Sequence, residues 1–97
     1  DIDIFYKALR RIHVFNQLGE VRKRVIMNMA FNLGIPRLRL FKKMWAALEK
    51  GDYNEASKEM LDSDWHREFT RLAKEAGLNV EVTRSWELAQ IMRSGRE

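Results

Sequence analysis

The stretch VIMNMAFNLGIP, residues 25–36, constrains the fold of this chain more than any other. Val21, Val25, Ile26, Met29, Ala30 and Leu33 recur at helical spacing and form one broad stripe. Met27 and Phe31 carry apolar surface round to the other side. Between Arg24 and Arg37 there is no charged residue. A helix that is apolar nearly all round belongs at the centre of a fold. The spacing predicts that it starts near Leu18 or Glu20 and runs to Leu33, with Gly34 as a left-handed C-terminal cap. Asn28 and Asn32 sit awkwardly in such a helix. Asparagine is a poor helix former, and a buried amide left unpaired costs about 1–3 kcal/mol. Each amide therefore needs either a nearby backbone group or a polar ligand.

The rest of the chain also reads as helix, and no stretch alternates apolar and polar residues for long. A first helix is expected from Asp1 and Asp3, which suit a helix N-terminus. It carries Phe5, Ala8, Leu9 and Ile12 inward and ends near Phe15–Asn16. Pro36 suits the first turn of a third helix, whose inner face is Leu38, Phe41, Trp45 and Leu48 beside Met44, closed by Gly51. DYNE at 52–55 resembles a capping box and opens a short helix burying Tyr53, Ala56, Met60 and Leu61. DSDW at 62–65 starts a fifth helix with the stripe Trp65, Phe69, Leu72, Ala73 and Ala76, stopped by Gly77. LNVEV, residues 78–82, reads as a briefly extended connector. Thr83 begins the last helix, with Leu88, Ile91 and Met92 inward and Gly95 at its end. The expected fold is all-α: a compact bundle of about six helices around one central buried helix, in a single domain spanning 1–97.

Ninety-seven residues suffice for one core. The net charge of +4 favours anionic partners, namely nucleic acid, anionic lipid or anionic wall polymers. It does not choose among them, because the basic residues are spread along the chain. The absence of cysteine excludes disulfides, thiolate nucleophiles and cysteine-held metals. No apolar run approaches the length of a membrane span, and there is no secretory leader. Asp1 rather than methionine stands first, so the chain is expected to be a piece of something longer.

Catalytic motifs are missing. His13 and His66 lie on different helices, without a second ligand-type residue at metal-binding spacing, and no cofactor is expected. There is no nucleophile elbow, phosphate-cradling loop or metalloprotease motif. Asp52, Glu55, Asp62 and Asp64 have capping roles available. A general acid needs a carboxyl in an apolar pocket, and no acid here sits in an apolar run. AFNLGIPRLRL, with Ala30, Gly34 and Leu40, has the skeleton of a helix-turn-helix, and Arg37, Arg39, Lys42 and Lys43 follow it. A recognition helix, however, shows a polar face to base edges. Here Leu38, Leu40, Phe41, Met44 and Trp45 cover most of the circumference, which weighs against nucleic acid.

The ordered series of motifs resembles the C-terminal lobe of phage-type lysozymes, the endolysins of glycoside hydrolase family twenty-four. RKRVIMNMAFNLG (22–34) is similar to the central helix of that lobe. Phe41 and Leu48 resemble positions in its next helix. GDYNEASKEMLDSDW (51–65) resembles its glycine–aromatic–glutamate-alanine and serine-x-tryptophan segment, and RSWELAQIMRSG (84–95) its closing helix. Residues 1–15 resemble the end of the helix that joins the two lobes, and 20–95 the lobe itself. Two departures stand out. Residues 66–83 form a longer link than the family's, with His66 where a glutamine usually follows soon after the tryptophan. The family's catalytic glutamate lies in an N-terminal lobe to which nothing here corresponds.

The resemblance implies a division of labour. Phe31 and Asn32 match an aromatic–amide pair facing the interlobe cleft, where the amide helps hold the peptide stem of peptidoglycan. Trp65 matches a tryptophan packed near that site. Arg84 matches an arginine reaching toward the catalytic glutamate of the other lobe, and Asn28 an internal asparagine with a structural role. The parent would cleave between N-acetylmuramic acid and N-acetylglucosamine, being made in the bacterial cytoplasm and acting on the cell wall. This chain would supply a cleft wall, no catalytic residue, and no activity alone. Two alternatives stand beside it: a basic helix-turn-helix DNA-binding domain, and a lobe reused as a structural module that self-associates through its exposed cleft face.

Overall fold

The computed structural model describes the backbone from Ile2 to the C-terminus and the side chains from Ile4 onward. The expected caps at Asp1 and Asp3 lie outside the described side chains. The order of elements is α1 (Ile2–Arg10), α2 (His13–Gln17), α3 (Glu20–Leu33), α4 (Ile35–Arg39), α5 (Lys42–Glu49), α6 (Tyr53–Leu61), α7 (Asp64–Glu75), a single 3-10 turn (Val80–Val82) and α8 (Arg84–Ser94). Among the described residues there is no strand. The fold is all-α, as the periodicity predicts. The eight α-helices among the described residues exceed the expected six because two of the expected helices are each broken in two.

The first break falls at Arg11–Ile12, where Ile12 N–H bonds to Leu9 carbonyl at 2.9 Å and Ile12 turns to extended backbone as the cap of α2. The second falls at Leu40–Phe41. There Lys42 N–H closes on Leu40 carbonyl at 2.7 Å, and Phe41 leaves the helical region with ψ 57°. The corner brings Leu38 of α4 and Met44 of α5 into the core together, both fully buried. Trp45 fastens it by donating from Nε1 to Leu38 carbonyl at 3.1 Å.

Helix α3 is central, but not buried all round. Val25, Ile26, Met29, Ala30 and Leu33 are buried, whereas Phe31 and Asn32 are exposed and Met27 is half-buried. The helix ends at Gly34, with φ 83° and ψ 155°. This is not the left-handed helical cap expected. It is a positive-φ, extended conformation open essentially to glycine alone, and it sends the chain straight into α4. In α7, Trp65 and Ala73 are buried and Phe69 half-buried, but Leu72 and Ala76 of the expected stripe are exposed. The connector after Gly77 forms the 3-10 turn rather than an extended segment.

Helix α6 packs most extensively against α8, with α5 on its flank and α3 across α8. Met60, Leu88, Ala89 and Met92 are fully or almost fully buried in this centre. Ser57 crosses it by donating from Oγ to Ala89 carbonyl at 2.8 Å. Helix caps follow the sequence signals. Asp52 accepts from Glu55 N–H at 3.1 Å, Ser63 from His66 N–H at 3.2 Å and Thr83 from Trp86 N–H at 3.2 Å. The radius of gyration, 13.0 Å, is near the ~13 Å of a folded domain of this size.

Candidate functional site

Ser63 sets the position of Trp65. Its Oγ accepts from His66 N–H and donates to Met60 carbonyl at 2.6 Å, which fixes the first turn of α7 against the end of α6. The Trp65 indole then lies edge-on between Phe41, 6.4 Å away, and Phe69, 6.1 Å away. It is only 6% exposed. Its Nε1–H has no hydrogen-bond partner among the described residues. A buried donor left in this state carries a desolvation cost of about 1–3 kcal/mol. It is the kind of group that a ligand oxygen or an ordered water completes.

Two grooves meet at this indole. The smaller, about 200 Å³, is lined by Asn32, Leu33, Arg37, Trp65, Glu68, Phe69 and Leu72. The larger, about 450 Å³, runs along Leu40–Met44 and the Glu59–Arg67 turn. The structure thus brings Asn32 and Trp65, far apart in sequence, to one groove. Asn32 donates from Nδ2 to Asn28 carbonyl at 2.8 Å, which orients the amide, while its own oxygen has no partner among the described residues. Asn32 and Trp65 thus line one groove, with the Trp65 Nε1–H buried in the groove wall rather than open to the cavity. On the rim, the Arg71 guanidinium beside Glu68 holds that carboxyl below its ordinary pKa.

Arg84 lies elsewhere. It lines a third groove, about 570 Å³, between α3 and α8, together with Arg24, Asn28, Trp86, Arg96 and Glu97. Its Nη2 donates to Asn28 Oδ1 at 2.8 Å, and its Nη1 pairs with Glu87. Asn28 in turn donates to Arg24 carbonyl at 2.8 Å. Arg24 is joined to Glu97 at 2.8 Å, and that hydrogen bond raises its pKa. Asn28 is thus half-buried and structurally engaged, and it is also the amide that aims Arg84. Phe31 lines none of these grooves. It is 47% exposed and stands edge-on against Phe5 of α1, centroids 5.1 Å apart.

Glu68 is shifted in the wrong direction for a general acid, which needs a raised pKa. His66 and Ser85 form a hydrogen bond, Nδ1 to Oγ, at 2.7 Å. Ser85 is fully buried, however, so no substrate reaches its hydroxyl. Among the described residues no group of three His, Cys, Asp or Glu is placed to hold a metal ion. Among the described residues no helix is long and apolar enough to cross a membrane.

Fifty-five residues of the chain are 33% identical to "Probable T4-type lysozyme 1" of Dictyostelium discoideum. The chain is lysozyme-related over that stretch. The matched segment is 57% of this chain and 32% of the relative, so the chain spans about a third of the length of the curated relative it matches. No protein-family model matches the chain, and no solved structure matches it significantly.

The sequence singled out Asn32 and Trp65 but not their neighbour Arg37, which reaches the same groove from the far side of Gly34. It also missed the Asn28–Arg84 clasp and the His66–Ser85 bond. Pairs so distant in the chain leave no periodic signal. The poor helix propensity of Asn28 was the only available hint of the first.

Proposed function

We propose that this chain serves as the C-terminal lobe of a phage- or prophage-type lysozyme of glycoside hydrolase family twenty-four. Residues 20–95 form the lobe, and 1–15 the end of the element leading to its partner lobe. Its work is to hold peptidoglycan. The bond cleaved, between N-acetylmuramic acid and N-acetylglucosamine, is broken by a general acid on the other lobe, since such hydrolysis needs a carboxyl to protonate the leaving oxygen. The observation that carries this reading is that Asn32 and Trp65, far apart in sequence, line one groove of a chain similar to a lysozyme.

A peptide stem offers an amide N–H at every unit for Asn32 Oδ1, and apolar side chains for the exposed edge of the Trp65 ring. Phe31, next to Asn32 in the chain, stays outside this groove and packs against Phe5. Arg84, held by Asn28 and Glu87, stands ready to meet a carboxylate of the partner lobe across the α3–α8 groove. That carboxylate would have to displace Glu87 from the guanidinium.

Titrating the labelled chain with soluble muropeptide tests the binding role by NMR. The expected result is saturable shifts at the Trp65 indole N–H and the Asn32 side-chain amide. Asn32→Ala should weaken binding by roughly 2–10-fold, the range of one hydrogen bond. Shifts confined to other surfaces would overturn the assignment of the groove. Cleavage of purified peptidoglycan by the chain alone would overturn the claim that the acid lies on another lobe.

A further inference from the structure

The corner between α4 and α5 concentrates positive charge, of which Arg37 alone also lines the Asn32–Trp65 groove. Arg37, Arg39, Lys42 and Lys43 are all exposed there, and none is in an ion pair among the described residues. Leu40 stands among them and is 71% exposed, more than any other large apolar side chain described. The tight turn from Lys42 N–H to Leu40 carbonyl causes this. It directs Leu38 and Met44 into the core and leaves Leu40 pointing out. One exposed leucine needs no explanation. A leucine at the tip of a rigid corner, ringed by four cations, makes a composite surface.

The facing carboxylates do not neutralise it. Across the larger groove lie Glu59, Asp62 and Asp64. Arg67 engages both aspartates, at 3.2 and 2.8 Å, and its single charge offsets one of them, so with the half-buried Glu59 two net negative charges face the four cations. The corner therefore asks for a partner with dense negative charge outside and an apolar layer just beneath. A nucleic-acid backbone supplies the first and gives an aliphatic tip no partner. An anionic bilayer supplies both within a few ångströms of depth. We propose that the α4–α5 corner docks on anionic phospholipid membranes, with the four cations among headgroup phosphates and Leu40 in the interface. Contact of this kind is peripheral, and it shares Arg37 with the groove at Asn32 and Trp65.

Co-sedimentation of the full chain with vesicles tests this. Vesicles of equimolar phosphatidylglycerol and phosphatidylcholine should retain the chain at low salt, and vesicles of phosphatidylcholine alone should not. Lys42→Gln with Lys43→Gln should cut partitioning roughly 25-fold, about fivefold per charge. Leu40→Ser should cut it roughly tenfold while leaving the salt dependence unchanged. A charge-matched control at exposed positions elsewhere, Lys58→Gln with Lys74→Gln, should cost about twofold or less. All these positions are exposed, so circular dichroism should show each variant folded. Equal losses from the control pair, no effect of Leu40→Ser, or no retention on anionic vesicles would each overturn the proposal. Binding to duplex DNA in place of vesicles, lost in the Lys42/Lys43 variant, would assign the corner to nucleic acid instead.

Discussion

Arg22 shows how much one side chain can tie together. Its Nε donates to Met92 carbonyl at 2.8 Å and its Nη2 to Arg93 carbonyl at 3.3 Å, capping the C-terminus of α8. Its guanidinium also lies over the Tyr53 ring, 3.5 Å from the centroid. Arg22→Ala removes a charged hydrogen bond and a cation–π contact at once, and should cost about 2–3 kcal/mol in urea unfolding. Gly95→Ala tests the same junction from the other side. Gly95 has φ 71°, and a Cβ there would meet Arg22 Nη2 at 2.9 Å. Backbone strain alone is about 1–2 kcal/mol for a non-glycine residue, so a loss of at least that size is expected. His66 sets a pH dependence. Burial lowers its pKa below the ordinary histidine value. As pH falls through that ordinary value, the unfolded chain takes up its proton before the folded one does. The melting temperature should therefore drop between pH 7.5 and 5.5, and His66→Gln should flatten the drop.

Among the elements, the starts and stops were legible wherever a side chain does the work locally. Asp52 and Thr83 were readable as N-caps, and Gly77 and Gly95 as ends, because each acts on backbone within a turn of itself. The two caps should differ in weight. Thr83 is buried and its hydroxyl also donates to Val80 carbonyl at 2.7 Å, whereas Asp52 is exposed. Thr83→Ala should thus destabilise by about 1–2 kcal/mol and Asp52→Ala by about 0.5–1 kcal/mol, read from thermal melts. The breaks at Arg11–Ile12 and Leu40–Phe41 were not legible. Neither carries glycine or proline, and both are imposed by where Leu9, Leu38 and Met44 must go to enter a common core. Leu72 misled for the opposite reason. Its spacing is right for the α7 stripe, but it stands half exposed on the wall of the smaller groove, which no described residue fills.

At the scale of the whole molecule, composition and periodicity carried the all-α architecture, because a central apolar helix with short loops leaves few other ways to bury its surface. The grooves could not be read that way. Each is walled by residues from segments distant in the chain, such as Asn28 with Arg84, or Asn32 with Trp65. The core itself is shared by nearly every helix, so damage at its centre should spread. Leu88 is 1% exposed, and Leu88→Ala should cost about 2–5 kcal/mol. That is a large share of the ~5–15 kcal/mol typical of a domain. The transition should shift to lower urea with its slope unchanged if the chain unfolds as one unit.

The state of the indoles has a practical consequence. Trp45 Nε1–H is bonded to Leu38 carbonyl at the back of the α4–α5 corner, while Trp65 Nε1–H is buried without a partner at the meeting of two grooves. Their proton resonances should stand well apart, since hydrogen bonding moves an indole N–H signal strongly. The chain thus carries two built-in reporters. A molecule settling beside Trp65 should move one signal, and a bilayer touching the corner should broaden the other first. With the third indole signal removed by Trp86→Phe, a single spectrum can then say which of these two surroundings has been occupied, with no label added.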